Sequence, residues 1–176
     1  MVTDNDAALV ARVIGDDDRA AFELLVRRHQ SPLRQFLRRL AANDAHLAED
    51  LAQETFIKAY RSIATFRGSA KFSSWLYQIA YHTFLNEQRR RRPTAEFDDA
   101  AHVPDAPAPH AGEPVLERAL RGLSIRQQAI LDLHYRKDLT HQEVADALRL
   151  PLGTVKSDLT RGREQLRKDL GERNGE

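Results

Sequence analysis

The side chains best suited to chemistry lie near the carboxyl end of the chain, on a predicted helix that begins near Gly153. Its outer face carries hydroxyl, ammonium and guanidinium groups, which donate to phosphate oxygens and to the edges of bases. An α-helix also fits the major groove of DNA, so this face is a candidate for DNA binding. Ser157, Thr160, Arg161 and Glu164 share the face, with Lys156 and Arg163 toward its edge.

A second, shorter helix must position that face. Thr140 is a predicted N-cap with Glu143 as its capping-box partner, and Pro151 ends the short helix before the longer one begins. In the longer helix the apolar residues recur at spacings of four, seven and four and form one stripe. They are Val155, Leu159, Leu166 and Leu170. The pair predicts a helix-turn-helix, and an ordinary helical hairpin with solvated charges is the alternative.

A second candidate surface combines aromatic rings with amides and arginines, which suits single-stranded nucleic acid. On the helix predicted from about Trp75 to Arg92, one face carries Tyr77, Gln78, Tyr81, Gln88, Arg89 and Arg92. The loop before it offers polar groups that can hold an unstacked base, namely Arg67, Gly68, Ser69 and Lys71. Phe72 and Phe84 are predicted to fill the core, whereas Tyr77 and Tyr81 fit either role equally well.

A third candidate surface lies on the helix predicted for residues 45–63. Ile57 and Tyr60 fall among Asp50, Gln53 and Glu54 on its outer side. An apolar pair framed by acids and amides indicates a protein-binding surface rather than a DNA surface. The alternative is that these are ordinary exposed apolar residues, and that Glu54 and Lys58 form only an i,i+4 pair.

Catalytic and metal-binding patterns are missing from the sequence. None of the seven histidines has a metal-ligand spacing on a helix face, and there is no cysteine, phosphate-binding glycine loop or nucleophile elbow. We therefore predict no enzyme activity, no metal and no cofactor. The acidic amino end does not resemble a secretory signal, and no apolar run approaches membrane-spanning length, so we expect a cytoplasmic protein without membrane insertion.

Composition predicts an all-α protein of two small domains. Residues 93–114 contain five prolines, five acids and no Lys or Arg, and they read as a flexible linker. Residues 1–92 and 115–176 flank this linker, with net charges of +4 and +2 against its −5. In the first domain we expect about four helices. One spans residues 19–28 behind an Asp18 cap, the next begins at Pro32, and the other two carry the second and third candidate surfaces.

The chain from about Leu9 to Leu170 resembles the extracytoplasmic-function (ECF) group of the bacterial sigma-70 family. Two motifs carry the resemblance. The first is AEDLAQETFIKAYRSIATFRGSAKFSSWLYQIAYHTFLNEQRRRR, which looks like the family's region 2. The second is the helix-turn-helix, in which LPLGTVKS matches region 4. Two motifs in this order and separation are a far stronger signal than a lone helix-turn-helix.

The resemblance implies a protein that binds RNA polymerase core, directs it to promoters and helps to open DNA. It places Asp50, Gln53, Glu54, Ile57 and Tyr60 against the clamp coiled coil of the largest polymerase subunit. It assigns the minus-ten promoter element to Arg67, Gly68, Ser69, Lys71, Tyr77, Tyr81, Gln88, Arg89 and Arg92. It assigns the minus-thirty-five element to Thr154, Lys156, Ser157, Asp158, Arg161 and Arg163. Many relatives are held by an anti-sigma factor, which the linker would permit.

Three departures from the family pattern affect these assignments. Asp158 stands where a basic residue is usual, and its carboxylate would either repel phosphates or accept from a cytosine amino group. Tyr81 and His82 replace a common Arg-Asn pair, so promoter preference does not transfer from relatives. Gly162 should weaken its helix by up to about 1 kcal/mol.

Two alternatives from other classes remain. A helix-turn-helix regulator that acts without polymerase core would explain the carboxyl-terminal motif but would give no role to the acid-framed apolar surface. An enzyme acting on nucleic acid is disfavoured by the missing acid–base cluster.

Overall fold

In a computed structural model, residues 5–92, 98–101 and 114–171 are described, and within these ranges the chain is helical with no strand. The all-α prediction is therefore confirmed. Among the described residues, four α-helices precede residue 93 and four follow residue 113. The first four are α1 (Asp6–Asp16), α2 (Arg19–Leu40), α3 (Ala45–Ser62) and α4 (Phe72–Arg91). The others are α5 (Val115–Arg121), α6 (Ile125–Leu131), α7 (His141–Leu148) and α8 (Leu152–Gly171).

The first helix group is built around α2, which packs against α1, α3 and α4. The Asp18 carboxylate caps α2 by accepting from the backbone of Ala21 at 3.0 Å, as predicted, and Arg12 donates to the same carboxylate. Leu25, Phe36 and other apolar residues of α2 are buried in the shared core. Helix α1 was not predicted as an element. It buries Leu9, Val10 and Val13.

Pro32 lies inside α2, so the prediction that a new helix begins at this residue is wrong. Proline removes one backbone donor and clashes with the preceding turn, which makes it unfavourable in an isolated helix. Here the helix continues because residues on both sides of Pro32 bury apolar side chains in one core, Leu25 before it and Leu33 and Phe36 after it. Tertiary packing thus outweighs the local preference.

Helices α3 and α4 have bounds close to those expected. The carboxylate of Asp44 caps α3 by accepting from Leu47 at 2.9 Å. A short 3-10 turn, Ile63–Thr65, and an exposed loop connect α3 to α4. Helix α4 begins at Phe72, three residues before the predicted start, and Phe72 and Phe84 are buried as predicted.

The second helix group contains the predicted helix-turn-helix. Thr140 and Glu143 form the predicted capping box, with Glu143 accepting from Thr140 N–H at 2.8 Å and Thr140 Oγ1 accepting from Glu143 N–H at 3.2 Å. Val155 and Leu159 of the predicted stripe are buried, and Leu166 is partly buried against the core. A second capping box, formed by Ser124 and Gln127, begins α6.

Gly162 lies where α8 crosses α6 closely. A β-carbon at this position would lie 3.2 Å from Leu131 Cδ1 and 3.8 Å from Gln127 Cβ. The missing side chain therefore lets the two helices approach, which is the structural role that offsets the poor helix propensity of glycine.

The two helix groups pack on each other, mainly through α4 against α7 and, to a lesser extent, α2 against α6. Arg39 of the first group pairs with Asp132 of the second at 2.8 Å. Burial raises the pKa of Asp132, and Arg39 opposes that shift. None of the helices in the described ranges combines the length and apolar character that a membrane span requires.

Candidate nucleic-acid and protein interfaces

The outer face of α3 matches the predicted protein-binding surface. Asp50, Gln53, Glu54 and Ile57 are exposed, and 51% of Ile57 is accessible. Glu54 also forms the expected ion pair with Lys58, at 2.6 Å. An apolar side chain surrounded by acids and an amide is thus available to a partner.

Tyr60 lies at the edge of this face and is already engaged within the protein. Its ring packs edge-on against Phe22, with centroids 4.9 Å apart, and its hydroxyl donates to Asp17 at 2.5 Å. The hydrogen bond to Asp17 raises the pKa of the Tyr60 hydroxyl. The ring is therefore fixed in orientation and only partly exposed to a partner.

The loop before α4 is polar and exposed and is anchored by an aromatic cluster. Phe66, Phe72 and Trp75 pack with ring centroids 5.5 to 5.9 Å apart. Arg67, Gly68, Ser69 and Lys71 are exposed around this cluster, and Gly68 has a φ of 70°, a conformation that favours glycine. The cluster thus holds a polar loop beside a half-buried indole ring, as a pocket for an unstacked base would require.

A cavity beside this loop is shared between the helix groups. Phe66, Arg67, Ser69, Trp75 and Gln78 line it from the first group, and Asp146, Ala147 and Arg149 line it from the second. Lys71 pairs with Glu143 at 2.9 Å across the same junction. Helix α7 therefore contacts the loop that was predicted to meet single-stranded DNA, while the four predicted loop residues stay exposed.

Tyr77 and Tyr81 are buried in this arrangement, which agrees with the core role left open for them rather than with exposed stacking rings. Tyr77 packs edge-on against Phe36 of α2 at 5.2 Å, and Tyr81 is 1% exposed, with its hydroxyl donating to Asp99. Burial raises the pKa of both hydroxyls. Helical periodicity placed the two rings on one side of α4 but did not show whether that side is buried. Their contact with DNA stays a prediction.

The carboxyl end of α4 is basic. Arg89 and Arg92 are exposed and Gln88 is half-buried, while Glu87 pairs with Arg90 and Arg91 at 2.7 Å each. Basic side chains in the last turn also face the negative end of the helix dipole. This end of α4 thus presents a positive surface to which phosphates would be attracted.

The outer face of α8 is exposed where DNA binding was predicted. Lys156, Ser157, Arg161 and Arg163 are exposed, and Thr154 is half-buried. The Arg161 guanidinium donates to Ser157 Oγ at 3.2 Å, which holds the two side chains together. Three basic groups on one exposed face leave donors free to turn toward phosphates or bases.

Asp158 does not belong to that face, so its predicted DNA contact is contradicted by its burial. It is 4% exposed, and Arg126 of α6 donates Nε–H to its carboxylate at 2.6 Å. Arg161 lies 3.2 Å from the other carboxylate oxygen. The charge is neutralised inside the protein and would neither repel phosphates nor reach a base. Arg126 was not identified from the sequence, because the contact spans thirty-two residues.

These surfaces define a helical protein that combines a helix-turn-helix with a separate aromatic loop and an exposed apolar residue framed by acids on α3. Two family profiles match the chain: Sigma-70 region 2 over residues 25–94 and Sigma-70, region 4 over residues 115–166. The chain is 34% identical to the RNA polymerase sigma-H factor of Pseudomonas aeruginosa, over 97% of this chain and 96% of that protein. It is 34% identical to the ECF RNA polymerase sigma-E factor of Haemophilus influenzae, with coverages of 92% and 93%.

The fold agrees with these matches. The structure of the sigma factor RpoE bound to the anti-sigma factor NepR from Bartonella quintana has a TM-score of 0.69 at 24% identity, covering 85% of this chain and 96% of RpoE. CnrH in complex with the cytosolic domain of CnrY has a TM-score of 0.69 at 21% identity, with coverages of 95% and 97%. The chain therefore belongs to the sigma-70 family, among its ECF RNA polymerase sigma factors.

Proposed function

We propose that this sigma factor divides its work among three surfaces: α3 binds polymerase core, the loop and α4 bind the minus-ten element, and α8 binds the minus-thirty-five element. The observation that carries the proposal is the exposed Ile57 among Asp50, Gln53 and Glu54, on a chain that also holds a helix-turn-helix. A DNA surface would not surround an apolar side chain with acids, because phosphates repel carboxylates.

The core-binding surface consists of Asp50, Gln53, Glu54, Ile57 and Tyr60, and its partner is the clamp coiled coil of the largest polymerase subunit. Ile57 supplies the apolar contact that loses its water on docking. The acids favour a basic partner and set the orientation of the complex. Tyr60 contributes its exposed edge, held in place by Phe22 and Asp17.

Promoter binding uses two surfaces with different chemistry. The opened minus-ten strand binds to the loop before α4 and to the carboxyl end of α4 through phosphate and base contacts. The residues that make these contacts are Arg67, Gly68, Ser69 and Lys71 in the loop, and Gln88, Arg89 and Arg92 at the end of the helix. Tyr81 joins this surface only when the second helix group moves away, and Tyr77 only when its packing on Phe36 also opens. On α8, Thr154, Lys156, Ser157, Arg161 and Arg163 contact the duplex, while Asp158 positions the helix.

This role is one of binding rather than catalysis, and the chemistry of transcription belongs to the polymerase. We place the protein in the cytoplasm because its partners are polymerase and promoter DNA. RpoE was solved in complex with the anti-sigma factor NepR, and CnrH in complex with the cytosolic domain of CnrY. We propose an anti-sigma factor as a further partner of this chain by analogy with those complexes.

Run-off transcription tests the proposal. Core polymerase is combined with the full chain and a library of genomic fragments, and the transcripts are sequenced from their first nucleotide. We expect discrete start sites that depend on the chain and share sequence elements near minus ten and minus thirty-five. The alternative, a regulator that acts without core, predicts sequence-specific duplex binding by the chain alone and no chain-dependent start sites with core.

A further inference from the structure

A row of polar contacts joins both helix groups through one residue of the segment between them. Tyr81 of α4 donates its hydroxyl to the Asp99 carboxylate at 2.5 Å. The backbone N–H of Arg126 in α6 donates to the Asp99 carbonyl at 2.9 Å, and the Arg126 guanidinium lies 3.9 Å from the Asp99 carboxylate. Arg126 in turn pairs with Asp158 of α8. Asp99 therefore contacts each helix group directly.

These contacts are sheltered from water, which makes them stronger than the same contacts on an open surface. Tyr81 is almost fully buried, and about a fifth of the Asp99 and Arg126 side chains is exposed. Removing the Asp99 carboxylate would leave the buried Tyr81 hydroxyl without its acceptor, a loss that penalises only the closed arrangement. Arg126 would keep Asp158, so the second helix group would retain its internal ion pair.

The closed arrangement covers part of the surface assigned to the minus-ten strand, because Tyr81 is buried in it. Helix α7 packs along α4, where Gln78 donates to the carbonyl of Asp146 at 3.2 Å and Glu143 holds Lys71. The cavity beside Trp75 has one wall from α7. A single strand cannot stack on the buried Tyr81 ring while the two helix groups stay packed on each other.

We propose that Asp99 is a latch: it holds the two helix groups closed in the free protein, and the buried Tyr81 ring of the minus-ten surface becomes accessible only when the contacts of Asp99 with Tyr81 and Arg126 break. The position of the DNA surface rests on the proposed function, whereas the latch itself rests on the contacts of Asp99. Because only the open form offers Tyr81 for stacking on a base, the apparent affinity of the complete surface is reduced by the fraction of molecules that are open. Weakening the latch should therefore tighten DNA binding without any new contact.

The test uses the full chain, which has no cysteine of its own and accepts spin labels at chosen sites. Spin labels at S31C in α2 and E164C in α8, both exposed positions, report the separation of the helix groups. Pulsed electron paramagnetic resonance measures the distribution of distances between the two labels. Asp99→Ala is compared with Asp98→Ala, a neighbouring acid whose carboxylate accepts from Ala100 within its own turn. Asp99→Asn keeps an acceptor for Tyr81 but loses the charge that faces Arg126.

We expect one narrow distance distribution for the wild type and for Asp98→Ala, and a second, longer population for Asp99→Ala, with Asp99→Asn in between. Affinity for a fluorescent thymidine-rich single strand, measured without core, should rise about tenfold in Asp99→Ala if the open form is a minor population in the wild type. Circular dichroism checks that each variant keeps its helices.

An unchanged distance distribution in Asp99→Ala and Asp99→Asn, with helices intact, would overturn the latch. A longer population without tighter binding to the single strand would overturn its control of DNA access. If the chain opens as expected yet directs no transcription with core, the latch stands and the proposed function fails.

Discussion

Asp158 holds helix α8 to α6, because its buried carboxylate accepts from Arg126 at 2.6 Å. Removing one partner of a buried ion pair leaves the other charge poorly compensated. We expect Asp158→Ala to lower the free energy of unfolding by about 2 kcal/mol, since hydrogen bonds to charged groups contribute at this level. Urea unfolding followed by circular dichroism measures the change.

The matched control is Glu164→Ala, which removes an exposed acid from the same helix. This variant should stay within about 0.5 kcal/mol of the wild type, as surface substitutions usually do. Equal losses for the two variants would mean that the Asp158 pair contributes nothing beyond helix charge.

Helical periodicity places Asp158 among buried residues, although a charged side chain is usually expected on the surface. It follows buried Val155 by three residues and precedes buried Gly162 by four, so it lies within the apolar stripe of α8. A carboxylate in such a stripe requires an internal partner, but periodicity does not reveal that the partner is Arg126. The exposure of Lys156, Ser157, Arg161 and Arg163 followed from the same periodicity and is confirmed.

Among the elements, α8 contains three glycines, and two of them, Gly153 and Gly162, have different surroundings. Gly153 has open space where a β-carbon would be, whereas a β-carbon at Gly162 would lie 3.2 Å from buried Leu131. Gly153→Ala should raise the free energy of unfolding by up to about 1 kcal/mol through helix propensity. Gly162→Ala should lower it by about 1 kcal/mol, because overpacking a buried contact outweighs the same gain.

Chemical unfolding of the two alanine variants side by side separates the effects, since both make the same substitution in the same helix. Stabilisation by both would show that Leu131 moves aside freely and that Gly162 has no packing role.

The capping box of α7 makes the second helix group sensitive to acid. The backbone hydrogen bond from Thr140, followed by the contact with Lys71, lowers the pKa of Glu143. A carboxyl group with a lowered folded-state pKa stabilises the protein above its unfolded value, and this contribution is lost as the pH falls through the folded value. Glu143→Gln keeps an acceptor for Thr140 but does not titrate.

Thermal unfolding of the wild type and of Glu143→Gln should therefore differ most near neutral pH. The two melting temperatures should converge as the pH is lowered below the normal pKa of glutamate. A difference that stays constant with pH would contradict the role of the Glu143 charge.

The helix caps could be predicted because they depend on neighbouring residues, whereas the continuation of α2 through Pro32 depends on packing between helices and could not. Asp18, Thr140 and Glu143 cap their helices as expected, because a cap depends on residues three apart. Pro32 was misread as a helix start because its cost is local, whereas the core that overrides it is assembled from other helices.

At the scale of the whole molecule, helical periodicity could not predict that the second helix group packs on α4, because the contacting residues are far apart in the sequence. Residues 93–114 were predicted as a flexible linker from their prolines and acids, and most of them lie outside the described residues. Residues 98–101 instead form a turn whose Asp99 contacts both helix groups. Of the two acids in this described turn, Asp98 accepts from Ala100 and Asp99 contacts both helix groups, and composition does not distinguish them.

The central claim is that the chain binds polymerase core through the outer face of α3, and a direct binding titration tests it. Fluorescently labelled chain is titrated with core polymerase, and Ile57→Glu is compared with Leu24→Glu, which places the same charge at an exposed leucine of α2. We predict that the wild type and Leu24→Glu bind core equally well and that Ile57→Glu does not bind while its helical signal is intact. Wild-type affinity in Ile57→Glu would contradict the account.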